Sequence, residues 1–190
     1  GLSLKGKKVL IKPNLLSGAA PEKAVTTHPE FLRAAIILAK EEGASEITVG
    51  DSPGYHPPLF AAKRSGLFQI TEEEGVKWID FNSEPGFSVS SRLGSNGNSN
   101  GGQAKFQIAA TAGKADIILN LPKMKTHQLM FYTGAMKNLF GLIQGLTKGT
   151  YHFRYPDRTN FARMIVNLNA SMPEVYTIMD GITAMEGPGP

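Results

Sequence analysis

Lys123, Lys125, His127 and Lys137 stand close together in the stretch NLPKMKTHQLMFYTGAMKNLFG, residues 120–141. Clustered ammonium groups supply fixed positive charge for a phosphate or a carboxylate. An imidazole held among them loses basicity and stays neutral at pH 7, where it accepts a proton or ligates a metal. A second such histidine, His152, lies in GTYHFRYPD beside Arg154 and Asp157. The groups able to complement them are Lys12 and Asn14 in IKPN, Asp51 and Ser52 in VGDSPG, and Asp180 in IMDGI. His28, in TTHPE, reads as a capping or surface residue, and His56 as a loop residue.

The elements that must position these groups follow from the apolar patterning. KKVLIKPN reads as a buried strand, Lys8 to Lys12, stopped by Pro13. A helix follows, with Thr27 as the expected N-cap, Pro29 and Glu30 in its first turn, an apolar stripe of Leu32, Ala35, Ile36 and Ala39, and Gly43 as its stop. Glu46 to Val49 reads as a second strand, PPLFAAKRSGL as a short helix and VKWIDF as a third strand. This β-α-β-α-β order predicts an α/β fold, a mostly parallel sheet with helices on both faces and Rossmann-like layering. Two strand-like runs around a Gly/Ser/Asn tract predict a hairpin or loop insertion around 87–109, with residues 94–102 as a flexible loop. KADIILNLPK restores the buried-strand pattern. GAMKNLFGLIQGL reads as a helix with Met136, Leu139, Phe140 and Ile143 on its core side and Gly134, Lys137, Gly141 and Gly145 on another face. His152 falls in the loop after it. RTNFARMIVNLNASM reads as a further helix and EVYTIMDGI as a last strand. The 190 residues suit a single α/β domain, and AMEGPGP, with no closing element after it, suggests a fragment or trimmed form of a longer chain.

In open parallel sheets ligands bind beyond the carboxyl ends of the strands. The four strand ends carrying Lys12 and Asn14, Asp51 and Ser52, Lys123 with Lys125 and His127, and Asp180 therefore converge on one edge. That convergence predicts a site for a small anionic ligand. His127, Lys137 and Asp51 are its candidate catalytic residues. Lys12, Asn14, Ser52, Lys123, Lys125 and Asp180 are its binding residues, and His152 is a metal ligand. Two histidines with Asp51 or Asp180 suit iron, zinc or nickel.

Composition limits the alternatives. The net charge of +4 and pI near 9.3 are mild and scattered, which suits small anions better than duplex nucleic acid. The chain has no cysteine, so no iron–sulfur cluster or thiolate centre is ligated within it, and a reducing, cytoplasmic setting fits. No apolar run approaches the roughly 20 residues of a membrane span, so no membrane partner is expected. Neither GxxxxGK[ST] nor GxGxxG occurs, which leaves a nucleotide site without motif support. The oligomeric state is open.

Six blocks, VLIKPNLL, TTHPE, VGDSPG, NLPKMKTH, TGAMKNLFG and MDGITAMEGPGP, resemble in order the consensus of an uncharacterised family, domain of unknown function number three-six-two. The resemblance runs from Val9 to Pro190. Many members of that family are joined to ferredoxin-type iron–sulfur modules, which implies redox work and a ferredoxin-like partner outside these residues. The layout is also similar to the N-terminal domain of nickel-pincer lactate racemases. There a histidine precedes by about ten residues a lysine that carries a nicotinate-derived nickel pincer, and a second histidine about fifteen residues on ligates the nickel. By that resemblance His127 is an acid/base, Lys137 anchors a nucleotide-derived cofactor and His152 binds the metal. This chain departs from the racemase pattern at Lys12 and Asn14, where an Asp and an Arg stand, and at Asp51 and Ser52, where a second catalytic histidine stands. The resemblance thus implies a shared scaffold with different chemistry. The functional expectation is an enzyme of redox or proton-transfer type acting on a small anionic substrate or cofactor. The alternative is a non-catalytic anion- or metal-binding or electron-transfer scaffold that docks an iron–sulfur partner.

Overall fold

The computed structural model describes residues 2–54, 56–93, 104–128 and 130–190; the tract 94–102 lies outside them. The elements that carry the sheet come in the order β1 (Lys8–Pro13), α1 (Pro29–Glu41), β2 (Glu46–Asp51), α2 (Pro58–Arg64), α3 (Leu67–Glu73) and β3 (Lys77–Asp80). A hairpin of β4 (Gly86–Ser90) and β5 (Lys105–Ala109) follows, then α4 (Ala110–Lys114) and β6 (Ile117–Leu121). The site region holds β7 (Lys123–His127), β8 (Phe131–Thr133), α5 (Ala135–Asn138) and α6 (Gly145–Arg154). The last elements are α7 (Arg158–Asn169), β9 (Glu174–Thr177) and β10 (Asp180–Met185).

The main sheet has the order β3-β2-β1-β6-β9, and every pairing in it is parallel. Alternate residues face opposite sides, as the two-residue strand period requires. Val9, Ile11, Ile117 and Leu119 pack under Leu32, Ile36, Ala61 and Leu67 of α1–α3. Leu10 and Ile118 face Phe161, Ile165 and Leu168 of α7, with Phe106 and Ile108 of the hairpin. Helices thus cover both faces, as the β-α-β pattern predicts. The chain leaves β1 toward β2 on one side and leaves β6 toward β9 on the other, so the strand order reverses between β1 and β6. This switch point is where open α/β sheets hold ligands.

Several local expectations are corrected. β1 and β2 run on to Pro13 and Asp51, which places Asp51 inside a strand rather than after it. The N-cap of α1 is His28, whose Nδ1 accepts from the backbone N–H of Glu30. Thr27 instead donates its hydroxyl to the carbonyl of Leu121 and accepts from the N–H of Asn14, tying the end of β1 to the end of β6. The segment read as the end of one strand is a strand of its own, β7, in a second sheet of order β10-β7-β8. The last strand divides at Thr177 into β9 and β10, so Asp180 begins a strand rather than ending one. The helix expected over GAMKNLFGLIQGL is broken into α5, a 3-10 turn at Leu139–Leu142 and the separate helix α6. Leu139, Phe140 and Ile143 are buried, but Met136 is 43% exposed. His152 lies within α6, not in a loop.

Candidate functional site

A cavity of about 570 Å³ opens at the carboxyl edge of the main sheet, between the ends of β1 and β2, the β7–β8 hairpin and α6. Asn14, Asp51, Ser52, Lys125, His127, Lys137 and His152 all line it, so the structure brings seven of the ten predicted site residues to one place. The other three, Lys12, Lys123 and Asp180, lie off its wall and are fully buried.

Lys12 lies beneath the floor. Its Nζ contacts Oδ1 of Asp51 at 2.8 Å and donates to the carbonyl of Pro13. Burial pulls this ammonium below the ordinary lysine value, and Asp51 pulls in the opposite sense. Asp51 also accepts from the N–H groups of Leu15 and Ser52, so both of its oxygens are engaged. Lys123 pairs with Asp180 at 2.9 Å, and neither side chain touches solvent. Asp180 further accepts from the N–H of His28 and of Ile182. This pair fastens the second sheet to the start of α1 and stands apart from the cavity.

The wall itself is cationic. Lys125 donates to the carbonyl of Val25 at 2.7 Å, and its pKa falls to about 7 through burial, then through Lys137. Lys137 lies over the rings of Phe140 and Phe161, 5.3 and 5.9 Å from their centroids, with its pKa lowered to about 8 by burial and by Lys12. Lys148 on α6 donates to the carbonyl of Ser52, and burial lowers its pKa to about 7. Lys148 was not among the sequence-predicted residues; the signal for it was its placement four residues before His152, one helical turn away. His127 accepts from the N–H of Met130 through Nδ1 and has its pKa lowered to about 4 by burial, Lys137, Lys125 and His152. His152 stacks on Phe161 at 4.7 Å, and burial also lowers its pKa.

Asparagines brace the switch point. Asn14 donates to Oδ1 of Asn138, Asn138 donates to Oδ1 of Asn120, and Asn120 donates to the carbonyl of Ala135. This chain of amides fixes α5, and with it Lys137, against the ends of β1 and β6. Close backbone contact does the rest. A Cβ on Gly141 would overlap Asp51, and one on Gly145 would stand 2.9 Å from Oδ1 of Asn82.

The arrangement does not assemble the two-histidine, one-carboxylate metal set. Among the described residues no three His, Asp or Glu side chains gather as a metal-binding group. Asp51 and Asp180 are each engaged by a lysine and by backbone N–H groups. What the geometry does provide is a partly apolar cavity walled by three lysines, with the carboxylate of Asp51 neutralising a fourth.

The chain is 31% identical over 186 residues to "Thylakoid-associated protein sll1697" of Synechocystis sp. (strain ATCC 27184 / PCC 6803 / Kazusa), covering 97% of this chain and 54% of that protein. It therefore spans about half the length of this curated relative. No helix among the described residues is long and apolar enough to cross a membrane. The family model described as "Domain of unknown function (DUF362)" matches residues 9–190, and the chain belongs to that family.

Proposed function

We propose that the chain binds a small anion, a phosphate or carboxylate compound, in the switch-point cavity and transfers a proton on it. One observation carries this reading: Lys125, Lys137 and Lys148 converge on the cavity, and the nearby carboxylate, Asp51, is already paired with Lys12. A buried cluster with surplus positive charge costs stability until an anion neutralises it.

The roles follow from the geometry. Lys137, seated on two aromatic rings, is the anion grip. Lys125 and Lys148, with pKa values near 7, suit proton transfer at neutral pH better than His127, which is a weak base while the site is empty. A bound anion raises all of these values and restores His127 as a hydrogen-bond donor. Asp51 acts through Lys12 as a positioning residue.

The alternative is a basic face that docks an acidic iron–sulfur module without catalysis. Burial argues for the cavity, because docking at a surface does not reach ammoniums recessed in a pocket. Titration calorimetry with inorganic phosphate and with malonate at pH 7 tests the choice. The expected result is binding that Lys137→Ala weakens about tenfold or more, the scale of a lost charge-assisted contact. Increasing salt should weaken it only modestly. Unchanged affinity in Lys137→Ala would sink the cavity reading. The relative's name places that protein at thylakoids, and for this chain we propose a cytoplasmic location at a membrane surface, attached peripherally.

A further inference from the structure

The β7–β8 hairpin has a second side. His127 faces the cavity, while Phe131, four residues on, is 68% exposed and lines, with Arg158 and Arg163, a separate open hollow of about 660 Å³. Phe131 has a φ of +62°, which a bulky L-residue adopts at a cost of about 1 kcal/mol or more. Such strain, kept at an exposed aromatic, points to use. The guanidinium of Arg158, at the start of α7, lies 4.4 Å from the Phe131 ring centroid. Phe153, at the end of α6, is 89% exposed. It stands five residues before Arg158, within a span of roughly 18 Å even for extended chain. Arg154 and Arg163 add two more exposed guanidiniums, and among the described residues none of these three arginines forms an ion pair. Asp157, the acid between them, has its carboxylate engaged in capping α7 through Asn160. Phe161, in the first turn of α7, stacks on the cavity residue His152 and lies near Lys137, so the arginine-bearing start of α7 is close to the cavity.

We infer that this corner rests on an anionic lipid bilayer, with Phe131 and Phe153 entering the headgroup layer and Arg154, Arg158 and Arg163 meeting lipid phosphates. Exposed aromatics ringed by unpaired cations match the composition of interfacial membrane contacts, where apolar insertion and attraction to anionic lipid add together. Each arginine near such a surface contributes on the order of a two- to fivefold gain in partitioning. The cavity then opens beside the membrane, and its ligand exchanges along that surface. The inference gives the peripheral attachment proposed above its contact residues, and those residues are not the cavity's.

Vesicle co-sedimentation tests it. Vesicles of phosphatidylglycerol with phosphatidylcholine should sediment the protein, and vesicles of phosphatidylcholine alone should not. The double variant Phe131→Ser, Phe153→Ser and the single variant Arg158→Glu should each weaken that binding by about tenfold. Lys5→Glu with Lys7→Glu, at the opposite end of the sheet, should leave it unchanged, which separates a docking corner from bulk positive charge. An unchanged circular dichroism spectrum and urea midpoint serve as the folding control for every variant. The inference is overturned if the protein ignores anionic vesicles, as it would if the corner served an acidic protein partner instead. Equal losses in the Lys5/Lys7 variant and the aromatic variant overturn it too. If phosphate fails to bind while vesicles still do, the cavity reading falls and the membrane corner stands.

Discussion

Gly141 closes over Asp51: a methyl group on its Cα would overlap Oδ1 of that carboxylate and stand 2.7 Å from Nζ of Lys12, its partner. The floor of the cavity is therefore an ion pair roofed by bare backbone. Gly141→Ala must displace the buried pair or the 3-10 turn above it. Expected is a loss of about 1–3 kcal/mol, typical of overpacking, read as a lower urea midpoint with an unchanged slope.

The pair itself should be costly to break and cheap to replace. Asp51→Asn leaves Lys12 charged, buried and without its carboxylate, and should cost about 3–5 kcal/mol. The double variant Lys12→Met, Asp51→Leu should recover most of that, because no charge remains to desolvate. Denaturant unfolding of the three proteins checks the cycle; a double variant as weak as the single one would mean the pair does more than neutralise charge.

Stability in the absence of anion should rise with pH above neutrality. Lys125, Lys137 and Lys148 have folded pKa values of about 7, 8 and 7 against an ordinary 10.5. Between these limits the unfolded chain binds more protons than the native one, so unfolding free energy climbs with pH, by about 1.4 kcal/mol per pH unit for each lysine that is neutral in the folded state. The gain shrinks as pH falls from 10.5 and is gone below about 7. Urea midpoints at pH 7, 8 and 9 should show the climb, and Lys148→Met should flatten it. Added phosphate should act in the opposite sense, stabilising more at pH 7 than at pH 9.

His127 should titrate near pH 4. Burial is the first cause and Lys137 the second, and at pH 4 Lys137 is fully charged. Lys137→Met should therefore move the imidazole midpoint up toward 6.5. Proton NMR of the ring resonances reads both values, and a midpoint of 6 or above in the parent protein would contradict the packing described here.

The main sheet was readable because its strands are short apolar runs separated by amphipathic helices, and periodicity reports those directly. The second sheet was hidden because β7 inverts the usual pattern: Lys123 and Lys125 point inward and Met124, between them, is 42% exposed. A reading that sends apolar residues to the core sees no strand there. Met136 was misplaced for a related reason. The 3.6-residue period holds only while the helix continues, and the 3-10 turn at Leu139–Leu142 changes the phase. The same break made α6 look like a loop, so Lys148 went unnoticed. The gathering of Asn14, Asp51, Ser52, Lys125 and His127 was legible from strand ends, and Lys137 and His152 from the histidine and lysine spacing around the helix that follows. The sorting of Lys12, Lys123 and Asp180 into buried pairs was not, because both pairs join residues far apart in sequence.

The inversion of β7 also bears on how the chain folds. A slip of one residue would bury Met124 and release both lysines to water, which is the register that hydrophobic collapse alone prefers. The native register becomes favourable only once Asp180 is in place to meet Lys123 and the Val25 carbonyl to meet Lys125. Asp180 arrives 57 residues later along the chain. The site-bearing strand is therefore expected to set late, once β10 and the start of α1 are in place, and mutations in β7 should speed unfolding more than they slow folding.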